Sequence, residues 1–206
     1  GAGLIGSSIA RAARRMNAAG EIVAADASPA VRADMLACAD QVRAAVALIR
    51  ARHPQVRLAL VGLFDNADWQ PNFERWTAAE ERRNISAALD VYDDALRALA
   101  ARTPQAAFFD DRAWFRRHWG ERDAQGRPAY ARLAFGGKAQ VAQTRGDAPT
   151  NAVLGDGHAG SAWNGLWASD FVDFLNASFD ASIAPITPAE IAGLIDPDGR
   201  WGLRPD

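Results

Sequence analysis

Apolar positions in this chain alternate between short unbroken runs and longer stretches in which they recur at helical spacing. Residues 8–19 (SIARAARRMNAA), rich in Ala and Arg, predict a helix ended by Gly20, and EIVAAD, residues 21–26, predicts a short buried strand. Residues 31–52 predict a long amphipathic helix with Met35, Leu36, Val42, Val46 and Ile49 along one side and Pro54 stopping it. VRLALVGLF, residues 56–64, is continuous and apolar, the pattern of a strand buried on both faces.

From Thr77 the motif T-A-A-E predicts a capping box and a helix to about residue 101, with Ile85, Leu89, Tyr92, Leu96 and Leu99 at helical spacing. QAAFFDD predicts a further strand and RAWFRRHWGERD a short amphipathic helix. Residues 124–157 predict loops, with one strand candidate in YARLAF. Residues 161–179 (SAWNGLWASDFVDFLNASF) predict a final core helix burying Leu166, Phe171, Val172 and Leu175. This strand–helix alternation predicts an α/β domain, a mainly parallel sheet covered by helices on both faces.

Composition narrows the classes. At 206 residues, 49% of them hydrophobic, the chain is long and apolar enough to bury the core of one α/β domain. A formal net charge of −2 gives no electrostatic case for nucleic acid or an anionic membrane surface. Cys38 is the only cysteine, which excludes an intrachain disulfide and a thiolate zinc site, and its setting predicts a small core residue on a helix. No apolar run approaches membrane-spanning length, and no signal peptide is visible.

Two stretches carry candidate chemistry. Gly1, Gly3 and Gly6 form G-x-G-x-x-G, and Asp26 follows twenty residues later. Such glycines let a strand-to-helix turn approach a pyrophosphate, and the acid can hold a ribose hydroxyl, favouring NAD. Residues 1–29 resemble the start of prephenate dehydrogenase, which implies an NAD site at Gly1, Gly3, Gly6 and Asp26. No strand precedes Gly1 in this sequence, and the long helix 31–52 stands where a third strand belongs.

The second stretch is residues 154–191, where Asp156 and His158 lie in a glycine-rich loop before a helix. A carboxylate that orients an imidazole, which in turn deprotonates a serine, is the logic of the catalytic triad. The block resembles the last block of the SGNH (GDSL-type) hydrolases, in which D-G-x-H-P-G-T runs into a helix and then I-x-P-L-x-x-x-E-I. Asp156, Gly157, His158, Gly160 and Ser161 match the loop, and Gly165, Leu166, Ala168, Phe171, Leu175 and Asn176 the helix. Ile183, Pro185, Glu190 and Ile191 match the tail, and the helices and strands from residue 38 onward keep the family's order. The resemblance spans residues 38–195 and implies a flavodoxin-like three-layer α/β/α fold and esterase or lipase-like activity on an ester substrate. It also implies export, which is common in that family.

This sequence departs from the family at several places, and the blocks that supply an oxyanion glycine and G-x-N-D are not plainly present. The spacing is D-x-H where the family has D-x-x-H, a shortening that can turn the carboxylate away from the ring. The nucleophile block is not plainly present; IGSSI, residues 5–9, is its nearest match, with Ser8 as the candidate nucleophile and Ser7 in place of the Asp. Asn66, after the strong strand, is a candidate oxyanion donor, with turn capping as the competing role.

Other residues carry weaker signals. Asp110 and Asp111 could form a carboxylate pair, although a strand-end Asp commonly caps the next helix. His53 and His118 have no partners at metal spacing. Trp69, Trp76, Trp114 and Trp119 flank loops where a pocket could form, whereas Trp163 and Trp167 have the spacing of packing residues.

The sequence therefore predicts a single domain over 1–206: an N-terminal segment to residue 30, foreign or a truncated Rossmann-like piece, a hydrolase-like body over 31–195, and a tail over 196–206. The expected activity is ester hydrolysis by Ser8, His158 and Asp156 without a cofactor. An NAD-dependent oxidoreductase fragment and a catalytically inactive hydrolase remnant stand as alternatives.

Overall fold

The computed structural model describes residues 29–205. Helix α1 (Pro29–Arg52) lies against helix α2 (Ala79–Arg102), and both cover a pair of parallel strands, β1 (Leu58–Val61) and β2 (Ala106–Phe109). The covered stripe of α1 runs through Met35, Cys38, Ala39, Val42 and Val46, which meet Tyr92, Leu96 and Leu99 of α2. Leu36 and Ile49, expected in that stripe, are 46% and 38% exposed; Leu36 sits about a third of a turn from it, at about 100° per residue. Cys38 is half-buried within this layer, as its helical setting predicts.

Strand β1 is shorter than its sequence suggests, and only Leu60 is fully buried. Its end is fixed by α2: the Asp93 carboxylate accepts the Leu63 N–H at 3.2 Å and pairs with the Arg112 guanidinium at 3.0 Å. Gly62 makes room for that carboxylate, because a Cβ there would stand 2.9 Å from Asp93 Oδ1. The α2 cap is displaced by one residue from the expected box. Ala78 is the N-cap, and the Glu81 carboxylate accepts its N–H at 3.3 Å, with no hydroxyl to return a bond.

After β2, Asp110 caps helix α3 (Asp111–Trp119) by accepting the Ala113 N–H at 2.9 Å, the capping role expected of a strand-end acid. The helix stops at Trp119, short of the expected residue 123, because Gly120 takes φ 71° and the chain turns into a strand. Strand β3 (Gly120–Arg122) pairs antiparallel with β4 (Pro128–Tyr130). Strand β5 (Arg132–Ala134) pairs antiparallel with β6 (Gln140–Arg145), whose other edge takes β7 (Asn151–Val153) in parallel. The stretch expected to be mostly loop thus carries four short strands.

The described residues are mixed α/β, but they do not build the expected three layers around one parallel sheet. Their strands fall into three small sheets, and only β1–β2 and β6–β7 are parallel. Short turns such as 123–127 return the chain beside itself, which favours antiparallel pairing over a crossover.

Helix α4 (Ser161–Phe179) occupies its expected range, followed by α5 (Pro188–Ile195), whose N-cap Thr187 exchanges bonds with Glu190. Leu166, Phe171, Val172 and Leu175 are only partly buried. The largest buried side chain of α4 is Trp163, which stacks on Trp119 at 5.0 Å and meets Trp69 and Trp114 at 4.6 and 5.1 Å. Trp69, Trp114 and Trp119 are thus core residues rather than a pocket lining, because they surround one indole. Residues 196–205 close the same core: Leu203 is fully buried, and the buried Asp196 accepts the N–H groups of Trp201 and Leu203. No helix among the described residues is long and apolar enough to cross a membrane.

Candidate functional site

The loop after β7 is a tight bend that closes on itself. Leu154 donates its N–H to the His158 carbonyl and Gly157 donates to the Leu154 carbonyl, both at 2.8 Å. Val153 and Ala159 bridge across it, and Gly157 adopts φ +89°, a turn geometry suited to glycine. Two neighbours pin the bend from below. Arg145 Nε donates to the Gly155 carbonyl at 2.8 Å, and the Asp147 carboxylate accepts the Gly155 N–H at 2.8 Å.

This bend brings Asp156 and His158 together despite the shortened spacing. Asp156 Oδ1 accepts the His158 backbone N–H at 3.0 Å, while Oδ2 lies 2.9 Å from Nδ1 of the ring. The first contact is an Asx-type turn, which curls the carboxylate back over the residue two positions on. That curl makes D-x-H work where a straight segment would carry the acid away. The His158 N–H, followed by the ring, holds the Asp156 carboxyl below the usual carboxylate range. Both side chains are more than half exposed, so the ring is reachable from solvent. No described serine, threonine or cysteine hydrogen-bonds to His158. Ser7 and Ser8, like Gly1, Gly3, Gly6 and Asp26, lie outside the described residues.

A cleft of about 820 Å³ opens beside this bend. Pro71 lines it and faces Gly157, where an added Cβ would stand 3.5 Å from Pro71 Cγ; Arg145 lines it and holds Gly155. Its inner wall is Arg122, whose guanidinium lies 4.1 Å over the Phe73 ring and donates to the carbonyls of Ala67 and Phe73 at 3.0 Å. Phe73 in turn meets Tyr130 edge-on at 5.2 Å. Burial pushes the Tyr130 phenol up to about 12. Asp68, 3.3 Å from Arg122 Nε, is pushed up to about 6 by burial and by the nearby Asp65 charge.

Asn66 sits in the loop after β1, where its carbonyl accepts the Asn72 side-chain amide at 2.9 Å. The loop is braced by its neighbour: the buried Asp65 accepts the Ala67 N–H at 3.0 Å and the Ser86 hydroxyl at 2.8 Å.

A second histidine–carboxylate pair joins α3 to α4, with His118 Nε2 2.5 Å from Asp170 Oδ2 and Arg117 donating to the same oxygen at 3.0 Å. Burial pushes the His118 imidazole below its ordinary value, with Asp170 opposing the shift. The linear sequence separates these partners by a strand-rich insertion, and no motif links them. Asp111 is likewise buried, accepts the Trp167 indole N–H at 2.8 Å, and is pushed up to about 6, chiefly by burial. Among the described residues, no group of three His, Cys, Asp or Glu side chains is placed to hold a metal ion.

The chain matches no protein-family model, no curated protein and no solved structure.

Proposed function

We propose that this protein is an ester hydrolase of the SGNH type, acting on a small carboxylic or acetyl ester with His158 as general base. The observation that carries this reading is the 2.9 Å contact between Asp156 Oδ2 and His158 Nδ1, in a bend held by Arg145 of the cleft. A carboxylate on Nδ1 places the ring proton there and leaves the Nε2 lone pair to accept another.

In this reading the Ser8 hydroxyl attacks the ester carbonyl, and His158 Nε2 takes its proton. The same proton passes to the leaving alcohol as the acyl–serine ester forms. Water then attacks the acyl group, again giving a proton to His158, and the free carboxylic acid departs as Ser8 recovers its hydrogen. Asp156 holds the ring and stabilises the imidazolium at each stage. Backbone amides and Asn66 serve the oxyanion. No cofactor enters these steps.

The test is hydrolysis of p-nitrophenyl acetate by the wild type, His158→Ala and Ser8→Ala. A loss of about a hundredfold or more in both variants supports the reading. Loss confined to His158→Ala moves the nucleophile away from Ser8. A wild type no faster than buffer overturns the hydrolase reading, and NADH titration then tests the glycine motif at Gly1, Gly3 and Gly6.

A further inference from the structure

The cleft that shares Arg145 with the β7 bend is crowded with guanidinium groups that have too few carboxylates. Arg82, Arg122, Arg127 and Arg145 all line it, against the single lining carboxylate of Glu74, which is exposed. Two of the four are matched from outside the cleft: Arg122 by Asp68 at 3.3 Å, and Arg127 by Asp123 at 2.8 Å.

Arg82 and Arg145 form no ion pair with a described carboxylate. Arg82 Nη1 donates to the carbonyls of Trp76 at 3.2 Å and Thr77 at 2.5 Å, and Arg145 donates to the Gly155 carbonyl. Neutral carbonyls fix a guanidinium in place without cancelling its charge. Arg122 feels the consequence: its pKa is depressed, first by burial and then by the positive charge of Arg82. Cations held this close, on a wall that also offers the Tyr130 hydroxyl and the Phe73 ring, form a preset receptor for an oxyanion.

We propose that this cleft binds an anionic oxygen group, a carboxylate or a phosphoryl group, carried by the molecule whose ester is cleaved at His158, with Arg82 and Arg145 as its direct partners. The substrate is then an ester of an anionic alcohol, such as an acidic sugar, rather than a neutral lipid. The link to cleavage rests on the hydrolase reading, whereas the binding of the anion does not. Arg145 lines the cleft and also donates to the Gly155 carbonyl in the bend that carries His158, and this shared residue is what links the anion site to the imidazole.

The experiment is calorimetric titration of the full chain with galacturonate, glucose 6-phosphate and neutral galactose. The same titrations are run on Arg82→Gln, Arg145→Gln and Arg82→Lys. The expected result is an anion affinity about tenfold or more above that of galactose, falling as salt rises from about 50 to about 300 mM. Each Gln variant should weaken the anion about fivefold or more, and Arg82→Lys should recover part of the loss. Tighter galacturonate assigns the group as a carboxylate, and tighter glucose 6-phosphate assigns it as phosphoryl. Equal binding of galactose and the two anions overturns the proposal, as does unchanged anion binding in the Arg82→Gln/Arg145→Gln double variant. Anion binding by a wild type with no esterase activity separates the two readings: the receptor stands and the hydrolase falls.

Discussion

The Asp156 carboxylate grips His158 twice, through the backbone N–H at 3.0 Å and through Nδ1 at 2.9 Å. One acid therefore sets both the position of the residue and the orientation of its ring. Asp156→Asn keeps the backbone contact and removes the charge that holds the imidazolium. Turnover of p-nitrophenyl acetate should fall by up to about ten-thousandfold, the loss that follows when a triad acid is amidated. The thermal midpoint should not move, because the pair is solvent-exposed and worth little to stability. A shift in midpoint equal to that of a core variant would make the pair structural instead.

Asp111 makes stability depend on pH with an unusual sign. Its folded value of about 6 lies above the ordinary carboxylate value of 3.8, so the folded protein keeps a proton that the unfolded chain has released. Stability should therefore fall as pH rises through that window, by on the order of 2–3 kcal/mol from this group. Asp111→Asn still accepts the Trp167 N–H and should flatten that part of the slope. Asp68, also near 6, leaves a residual slope behind. Urea titrations at pH 4, 5, 6 and 7, taken as about these values, check the difference.

The His118–Asp170 pair has the opposite dependence. Burial depresses the imidazole, so the neutral ring is favoured in the fold and stability from this group falls as pH drops below the ordinary histidine value. Asp170→Asn removes the attraction that opposes burial, and the His118 titration seen by NMR should move to lower pH still. An upward movement would mean that Asp170 does not face the ring as a charge.

Two glycines should respond to alanine in opposite directions. A Cβ on Gly137 would stand 2.2 Å from the Gly202 carbonyl oxygen and 2.5 Å from the Leu203 carbonyl carbon, both backbone atoms that cannot swing aside. Gly137→Ala should cost about 1–3 kcal/mol and raise hydrogen exchange over residues 196–205. Gly193, within α5, has nothing within 4 Å of such a Cβ, and Gly193→Ala should gain about 1 kcal/mol. Denaturant midpoints of the two variants decide both.

The long helices were legible in the sequence because their apolar spacing is sustained over many turns, as at Leu89, Tyr92, Leu96 and Leu99. The strands after Trp119 were not. β6 places the polar Gln143 in the core, where its carbonyl oxygen accepts the Gln70 N–H at 2.6 Å, so hydropathy gives no strand signal there. Asp156 and His158 were found because they sit two residues apart. The cleft escaped notice because its arginines come from α2, β3, the 123–127 turn and β6, positions that only the fold gathers. His118 and Asp170 are joined by the packing of two helices, a relationship with no linear trace.

The closure of the core by residues 196–205 also bears on how the chain is made. Gly137 and Ala139 donate their N–H groups to the carbonyls of Leu203 and Gly202. The corner between β5 and β6 therefore stays unfinished on the ribosome until Leu203 has cleared the exit tunnel. At about 5–20 residues per second, that leaves the nascent chain open at this corner for several seconds, a window in which a holdase chaperone can engage it.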